Sequence, residues 1–342
     1  MYSAIARSLL VVASLSLGIG ASGCAVQSAH DDEEASEANG TGDLNLGSVE
    51  GAAETWGDAT KCKPIPQLEA LKSPEIVISL DGLTLHLRDR AGSYDRVFPV
   101  GPGAIENGKS LTPIGTFYTG SNTTEVRDDQ WGYNYACRIW WTDGDTGKKS
   151  PVFAGLPFIR LAGPPSAGYG IHGPIDRFTA PNGGTLRRAY VSHGCVRMAA
   201  EDIVEVYARI RGRARTPVRI QQEVERLSTG VAVDLAQKWV GSECRANSDC
   251  NFPSGRCRIP QGATIGACTL PCTRGCPDRG GEATTFCVND PQSPTSTTGI
   301  CVPQSSSTWN DSCDRYAGRL VTKAGAARPD KSARADVCAP LR

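Results

Sequence analysis

The chain lacks a surplus of charge of either sign: in 342 residues, 36 Lys and Arg stand against 36 Asp and Glu. It therefore carries no global basic field to hold nucleic acid or an anionic surface. It also lacks any apolar run of the roughly 20 residues that cross a bilayer, which argues against a transmembrane enzyme. Histidine is scarce, four in all, and none follows His193. Residues 25–60 have no Lys or Arg, only nine acids among Gly, Ser and Ala. Such a stretch cannot offset the entropy of ordering itself and is expected to be a flexible acidic tether.

Cysteine is the residue in excess. Fourteen are too many for a reducing cytosol, so an oxidising compartment and a set of disulfides are expected. The N-terminus agrees with export. One early cation, Arg7, precedes the apolar run from Leu9 to Leu17, and Ala21-Ser22-Gly23 abut Cys24. This reads as a secretion signal. Ala21-Ser22-Gly23-Cys24 resembles the bacterial lipobox, in which the cysteine is lipidated, so residues 1–24 are expected to end in a lipid anchor and residues 25–60 to act as the tether. Several acyl chains on one cysteine would anchor firmly.

From residue 61 to about 229 the pattern is that of sheet. Ile76-Val-Ile-Ser-Leu80, Asp81-Gly82 and the alternating Leu83, Leu85 and Leu87 predict a hairpin with those leucines on one buried face, Asp-Gly supplying positive φ angles. His86 falls on the opposite face and is expected to be exposed. Further β-rich runs occur at 97–100, 115–119, 139–142, 158–161, 189–192 and 217–220, separated by Gly, Pro and Asn. One helix is expected after Met198, because Ile203, Val206, Tyr207 and Ile210 recur at helical spacing behind Glu201 and Asp202. The fold class expected is mostly β, an antiparallel sandwich or barrel-like domain with one main helix, followed over 230–342 by a small module with ten cysteines. That module reads as a disulfide framework whose connectivity is not readable. Cys268, Cys272 and Cys276 hint at zinc, but the absence of a nearby histidine and the export signal disfavour it. The module could bind wall or protein, or resist proteolysis.

Gly103-Ala-Ile-Glu-Asn-Gly108-Lys109-Ser110 matches the phosphate-loop pattern letter for letter. That loop works only where a helix starts at its end. Pro113 and Gly115 follow almost at once, so a nucleotide site is not expected.

Two of the four histidines, His172 and His193, lie near Cys195. A thiol beside an imidazole becomes a thiolate nucleophile, and the helix soon after Gly194 adds its dipole. The competing readings are half of a disulfide for Cys195 and hydrogen-bonded structural roles for the histidines. If Cys24 is lipidated, the twelve cysteines besides Cys195 can pair completely without it. His172, His193 and Cys195 could supply three zinc ligands, but a thiol flanked by glycine favours covalent chemistry, so neither metal nor cofactor is expected.

Ile171-His172-Gly173-Pro174, 17 residues, and then Ser192-His193-Gly194-Cys195-Val196-Arg197-Met198 closely resemble the signature of YkuD-type L,D-transpeptidases. Thr112-Pro113-Ile114-Gly115-Thr116-Phe117 resembles a second stretch of that family, and the likeness spans roughly 74–221. It implies a domain acting on peptidoglycan stem peptides in the bacterial envelope. Cys195 would form a thioester with the third stem residue and release D-alanine, and an amine would then take the acyl group. Water as acceptor would make it a carboxypeptidase or endopeptidase; loss of catalysis would leave a wall-binding lipoprotein. His172 would be the base, oriented by the Gly173 carbonyl. Gly194 and Cys195 N–H groups would form the oxyanion hole, Ser192 and His193 would shape the loop, and Arg197 would bind a substrate carboxylate or make a structural ion pair. The stretch 123–155, with Trp131, Tyr133, Tyr135, Trp140 and Trp141, reads as an insertion that caps the cleft or forms a local core. Cys137 is expected to pair with Cys62.

Overall fold

The computed structural model describes residues 63–340 apart from 121–134, 143–145, 148, 165–167, 175–187, 214, 294–297, 306–312 and 317–319. The expected signal, Cys24 and the tether lie outside the described residues, as do Trp131, Tyr133 and Cys62.

The strands of the first region are β1 (Lys63–Pro64), β2 (Pro74–Ser79), β3 (Thr84–Asp89), β4 (Asp95–Pro99), β5 (Ile105–Glu106), β6 (Lys109–Ser110), β7 (Gly115–Thr119), β8 (Tyr135–Thr142), β9 (Lys149–Leu156), β10 (Ile159–Ala162), β11 (Gly170–His172), β12 (Val196–Arg197) and β13 (Pro217–Gln221), with α1 (Ala200–Ile210) between the last two. Eight of them make one sheet in the order β12-β11-β10-β7-β13-β2-β3-β4, and β1-β8-β9 make a second. The fold is mostly β, with one α-helix among the described residues of this region, as expected. Two joints depart from an antiparallel plan: β13 runs parallel to β2, and β12 parallel to β11.

The core sits between the large sheet and α1. Ile203, Val206, Tyr207 and Ile210 of the helix are completely buried, as are Ile76, Ile78, Leu85, Leu87, Phe117 and Val218 from the sheet. Each fully buried side chain of this size contributes roughly 1.5–3 kcal/mol.

Three local expectations are corrected. The β2–β3 hairpin forms, but the positive φ falls on Leu83 (49°) and not on Asp81-Gly82. His86 is not exposed: it is 1% accessible, its Nδ1 on the Glu225 carboxylate at 3.1 Å and its Nε2 on Asp95 Oδ1 at 2.9 Å. Strand alternation cannot foresee that, because a later segment carrying Glu225 covers the second face. Residues 189–192 form no strand; their backbone instead runs beside Pro102 and Ala104, with N–H bonds from Val191 and Ser192 to the Pro102 carbonyl.

The phosphate-loop look-alike is the β5–β6 hairpin, turned at Asn107 (φ 49°) and Gly108 (φ 74°). No helix starts at Lys109, so its backbone cannot cradle phosphate. At β8, Cys137 is disulfide-bonded, and β1 pairs alongside through Lys63 and Ala136.

The second region contains β14 (Glu243–Cys244), β15 (Arg256–Arg258), β16 (Gly266–Thr269), β17 (Pro271–Cys272), β18 (Thr285–Asn289), β19 (Gly299–Pro303), β20 (Leu320–Ala327) and β21 (Arg334–Pro340). They form small sheets of three, three and two strands. Five bridges tie them: Cys244–Cys257, Cys250–Cys268, Cys272–Cys287, Cys276–Cys301 and Cys313–Cys338. Sulfurs that cluster here, including those of Cys268, Cys272 and Cys276, are thus engaged in disulfides. Each loop closed stabilises the module by restricting its unfolded chain, by about 2–4 kcal/mol.

Burial pushes the His86 imidazole down, but its two carboxylate partners outweigh that and hold its pKa above 6.5. A pKa raised on folding stabilises fully below the unfolded value and is lost as pH rises through the folded one. The wild-type advantage in melting temperature over His86→Gln is therefore expected to shrink as pH rises from about 6 to about 9; thermal melts across that range check it.

Candidate active site

The site assembles where β11 and β12 meet. In their parallel register Ile171 faces Val196 and His172 faces Arg197. Cys195 directly precedes β12, two residues before Arg197, which sets it on the order of 7 Å from His172 along the ladder. Both residues are buried, His172 at 6% and Cys195 at 2% exposure.

His172 is held by aromatics. Its ring stacks on Phe158 with centroids 5.3 Å apart and meets Phe153 edge-on at 6.1 Å. Its Nδ1 is buried and has no hydrogen-bond partner among the described residues. Burial first, and the Arg197 charge second, push its pKa down to about 3, so the imidazole is neutral. Arg197 lies with its guanidinium 4.9 Å from the centre of the Phe153 ring, a cation–π contact. Neither phenylalanine carries a motif signal: Phe153 comes from β9 of the smaller sheet, and Phe158 directly precedes β10, which pairs with the histidine strand.

The loop from Ser192 to Cys195 is pinned from within and from outside. Ser192 Oγ donates to the Cys195 carbonyl and accepts the Gly194 N–H at 3.0 Å. An oxyanion at Gly194 would have to compete with that hydroxyl. From outside, buried Thr112 accepts the Gly103 N–H at 2.7 Å and donates to the Gly194 carbonyl at 2.8 Å. Thr112 opens the Thr-Pro-Ile-Gly stretch legible in the sequence, yet its tie to a residue 82 positions away is not legible there. His193 is exposed.

Two glycines are required by close approach. Gly194 has φ +117°, and a Cβ there would lie 2.3 Å from the Tyr169 ring. At Gly173 a Cβ would lie 2.4 Å from the Met198 carbonyl, which explains why a side chain is absent directly after His172.

Cys195 is disulfide-bonded. The expectation that the other cysteines pair without it is corrected. The ten cysteines of 244–338 bond among themselves, so its partner lies outside that module. In this oxidised state the sulfur has no nucleophilic lone-pair anion, and no thiolate stands by to favour a charged imidazole.

Residues 73–220 match the family model of the L,D-transpeptidase catalytic domain, YkuD. This segment is the YkuD-like domain of the chain. No curated protein sequence matches the chain. Solved structures similar to it include L,D-transpeptidase 1 of Mycobacterium tuberculosis, at 15% identity over 44% of this chain and 61% of that one, with a TM-score of 0.26. Another is the L,D-transpeptidase of Stackebrandtia nassauensis, at 15% identity over 49% of this chain and 62% of that one, with a TM-score of 0.27. A third, from Xylanimonas cellulosilytica, is 17% identical over 51% of this chain and 70% of that one, with a TM-score of 0.24. This chain thus spans about three fifths of the length of the first two. The YkuD domain contains every residue singled out for chemistry, from Thr112 to Arg197.

Replacing Thr112 by Val leaves the Gly103 N–H and Gly194 carbonyl buried without partners. The loss expected is about 1–3 kcal/mol, read by urea denaturation, with Thr112→Ser recovering most of it.

Proposed function

We propose that the protein is a peptidoglycan L,D-transpeptidase that works in the bacterial envelope with Cys195 as nucleophile and His172 as base. One observation carries the reading: within the YkuD domain, a buried imidazole with an unpartnered Nδ1 stands on the strand next to the cysteine. A neutral buried imidazole is the form that can take a thiol proton.

Reaction begins with reduction. A dithiol reductant opens the Cys195 disulfide by exchange, becoming oxidised itself and leaving Cys195 as a thiol. His172 takes the thiol proton, and sulfur attacks the carbonyl of the third stem residue. The bond to D-alanine breaks, and the leaving amine takes the proton from His172. An acceptor amine then attacks the thioester, forming the new amide; its proton passes to His172 and returns to the departing sulfur. The Cys195 N–H, with Gly194 if Ser192 releases it, receives the oxyanion. Arg197, half-buried on the strand beside His172, would meet a substrate carboxylate.

The signal, a lipidated Cys24 and the acidic tether would place the domain on a membrane surface with reach into the wall; lipidation would also remove the Cys24 thiol as a disulfide partner and so favour Cys195 as a thiol. Hydrolysis of the thioester would make the protein a carboxypeptidase or endopeptidase on the same residues. The disulfide at Cys195 favours a second reading, a wall-binding protein that keeps the fold without the chemistry.

The test is to incubate the full chain with a disaccharide tetrapeptide, before and after mild reduction, and to follow Cys195 and products by intact mass. The oxidised protein is expected to be inert. After reduction, acylation at Cys195, D-alanine release and a cross-linked dimer are expected, and Cys195→Ala or His172→Gln should lower turnover by about 100-fold or more. Tripeptide without dimer would establish the hydrolase. No adduct on the reduced protein would overturn the enzymatic reading and leave wall binding.

A further inference from the structure

The catalytic loop and the disulfide-rich module share one buried charged group. Arg188 is 6% exposed and lies seven residues before Cys195. Its guanidinium faces both regions. On the YkuD side Nε donates to the Leu83 carbonyl at 3.1 Å and Nη2 to the Gly82 carbonyl at 2.7 Å. On the module side Nη2 meets Asp234 at 2.8 Å and Nη1 meets Glu282 at 3.4 Å. The backbone is gripped as well: the Arg188 N–H donates to the Gly281 carbonyl at 2.6 Å, and its carbonyl accepts from Arg315 at 2.7 Å.

The grip is rigid because of where the disulfides fall. Glu282 lies inside the loop closed by Cys272–Cys287, and Arg315 is two residues from Cys313 of the Cys313–Cys338 bridge. Glu282 is further divided between Arg279 at 3.1 Å and Arg315 at 3.3 Å, and Lys238 holds the other oxygen of Asp234 at 3.0 Å. Such a network, fully paired and nearly dry, has one arrangement. Beyond Arg188 the chain has little slack before the nucleophile. Ala189 and Tyr190 are buried, the Tyr190 hydroxyl bonds Asp81 at 3.1 Å, and Val191 and Ser192 are held on Pro102.

We propose that the disulfide-rich module is a clamp for the catalytic loop, and that Arg188 is the positioning residue through which it acts. The inference rests on the reading of Cys195 as nucleophile and assigns the module a role in catalysis rather than in attachment. Arg188 touches no substrate; it sets where residues 189–195 begin, and an error there is carried to the sulfur. Displacement of a reacting group by about 1 Å costs up to about a hundredfold in rate.

The test compares the full-length wild type with Arg188→Met, Arg188→Lys and Glu282→Gln, and with Asp290→Asn as a control. Asp290 makes its own ion pair within the same module, with Arg258, apart from the Arg188 network. After mild reduction, kcat and KM are measured on the tetrapeptide. Separately, hydrogen exchange of the amides of 189–196 is followed on the oxidised chain. The expected result is a fall in kcat of about tenfold to a hundredfold in Arg188→Met with KM within about twofold, a smaller fall in Glu282→Gln, partial recovery in Arg188→Lys, and no change in the control. Exchange at 189–196 should rise in the same order. Unchanged kcat and unchanged exchange in Arg188→Met would overturn the proposal. An equal fall in the Asp290→Asn control would overturn it too, because the module would then matter only for general stability. If the reduced wild type released no D-alanine, the transpeptidase reading would fail, and the exchange series alone would decide whether the module anchors the loop.

Discussion

Strand β13 holds the large sheet together. It enters last of the eight strands, lies between β7 and β2, and pairs with both, antiparallel to one and parallel to the other. Without it the β2–β3–β4 meander and the β7–β10–β11–β12 half would be two separate, smaller sheets, each with an open edge. Val218 and Ile220 fill its inner face and are buried against both halves. The site depends on this closure, because β11 and β12 belong to the half that β13 joins to the rest. The immediately following segment carries Glu225 to His86, so the same stretch that closes the sheet also covers its far side.

What the sequence made legible was local. The helix over 200–210, the β2–β3 hairpin and the strand at 115–119 follow from spacing within a dozen residues, and all three are present. The histidine and cysteine motifs marked the residues that the sheet brings together. The illegible parts each turn on a partner far along the chain. His86 looked exposed because its carboxylate partner is 139 residues on. Arg188 gave no signal because Asp234 and Glu282 are 46 and 94 residues away. Residues 189–192 have the β-branched and aromatic pattern of a strand, yet the carbonyl of Pro102 takes two of their N–H groups and leaves only a loop.

The two regions solve the same problem of stability by different means. In the YkuD domain a continuous apolar core of strand and helix residues excludes water. In the module the largest buried cluster is built around cysteines, with Val240, Phe252 and Leu270 among them. A chain segment with so few large apolar side chains gains little from burial and relies on cross-links that restrict its unfolded state. The seam between them is neither: it is polar, with Arg188, Arg279, Arg315 and Lys238 gathered around the carboxylates of Asp234 and Glu282. Removing one member of such a seam strands its partner without water, which makes the seam selective for the intact pairing.

The loop from 188 to 195 takes its bonds from residues 81–83, 102–112, 234 and 281–315. Those segments span most of the chain, so the loop is a feature of high contact order. Its order is gained only after the distant segments have met, and the entropy of closing those long loops is spent first. A chain that has not yet formed its later bridges therefore has a sulfur at position 195 without a settled environment. Ordering around position 195 is in this way coupled to closure of the disulfide-bonded segment that follows it in the chain.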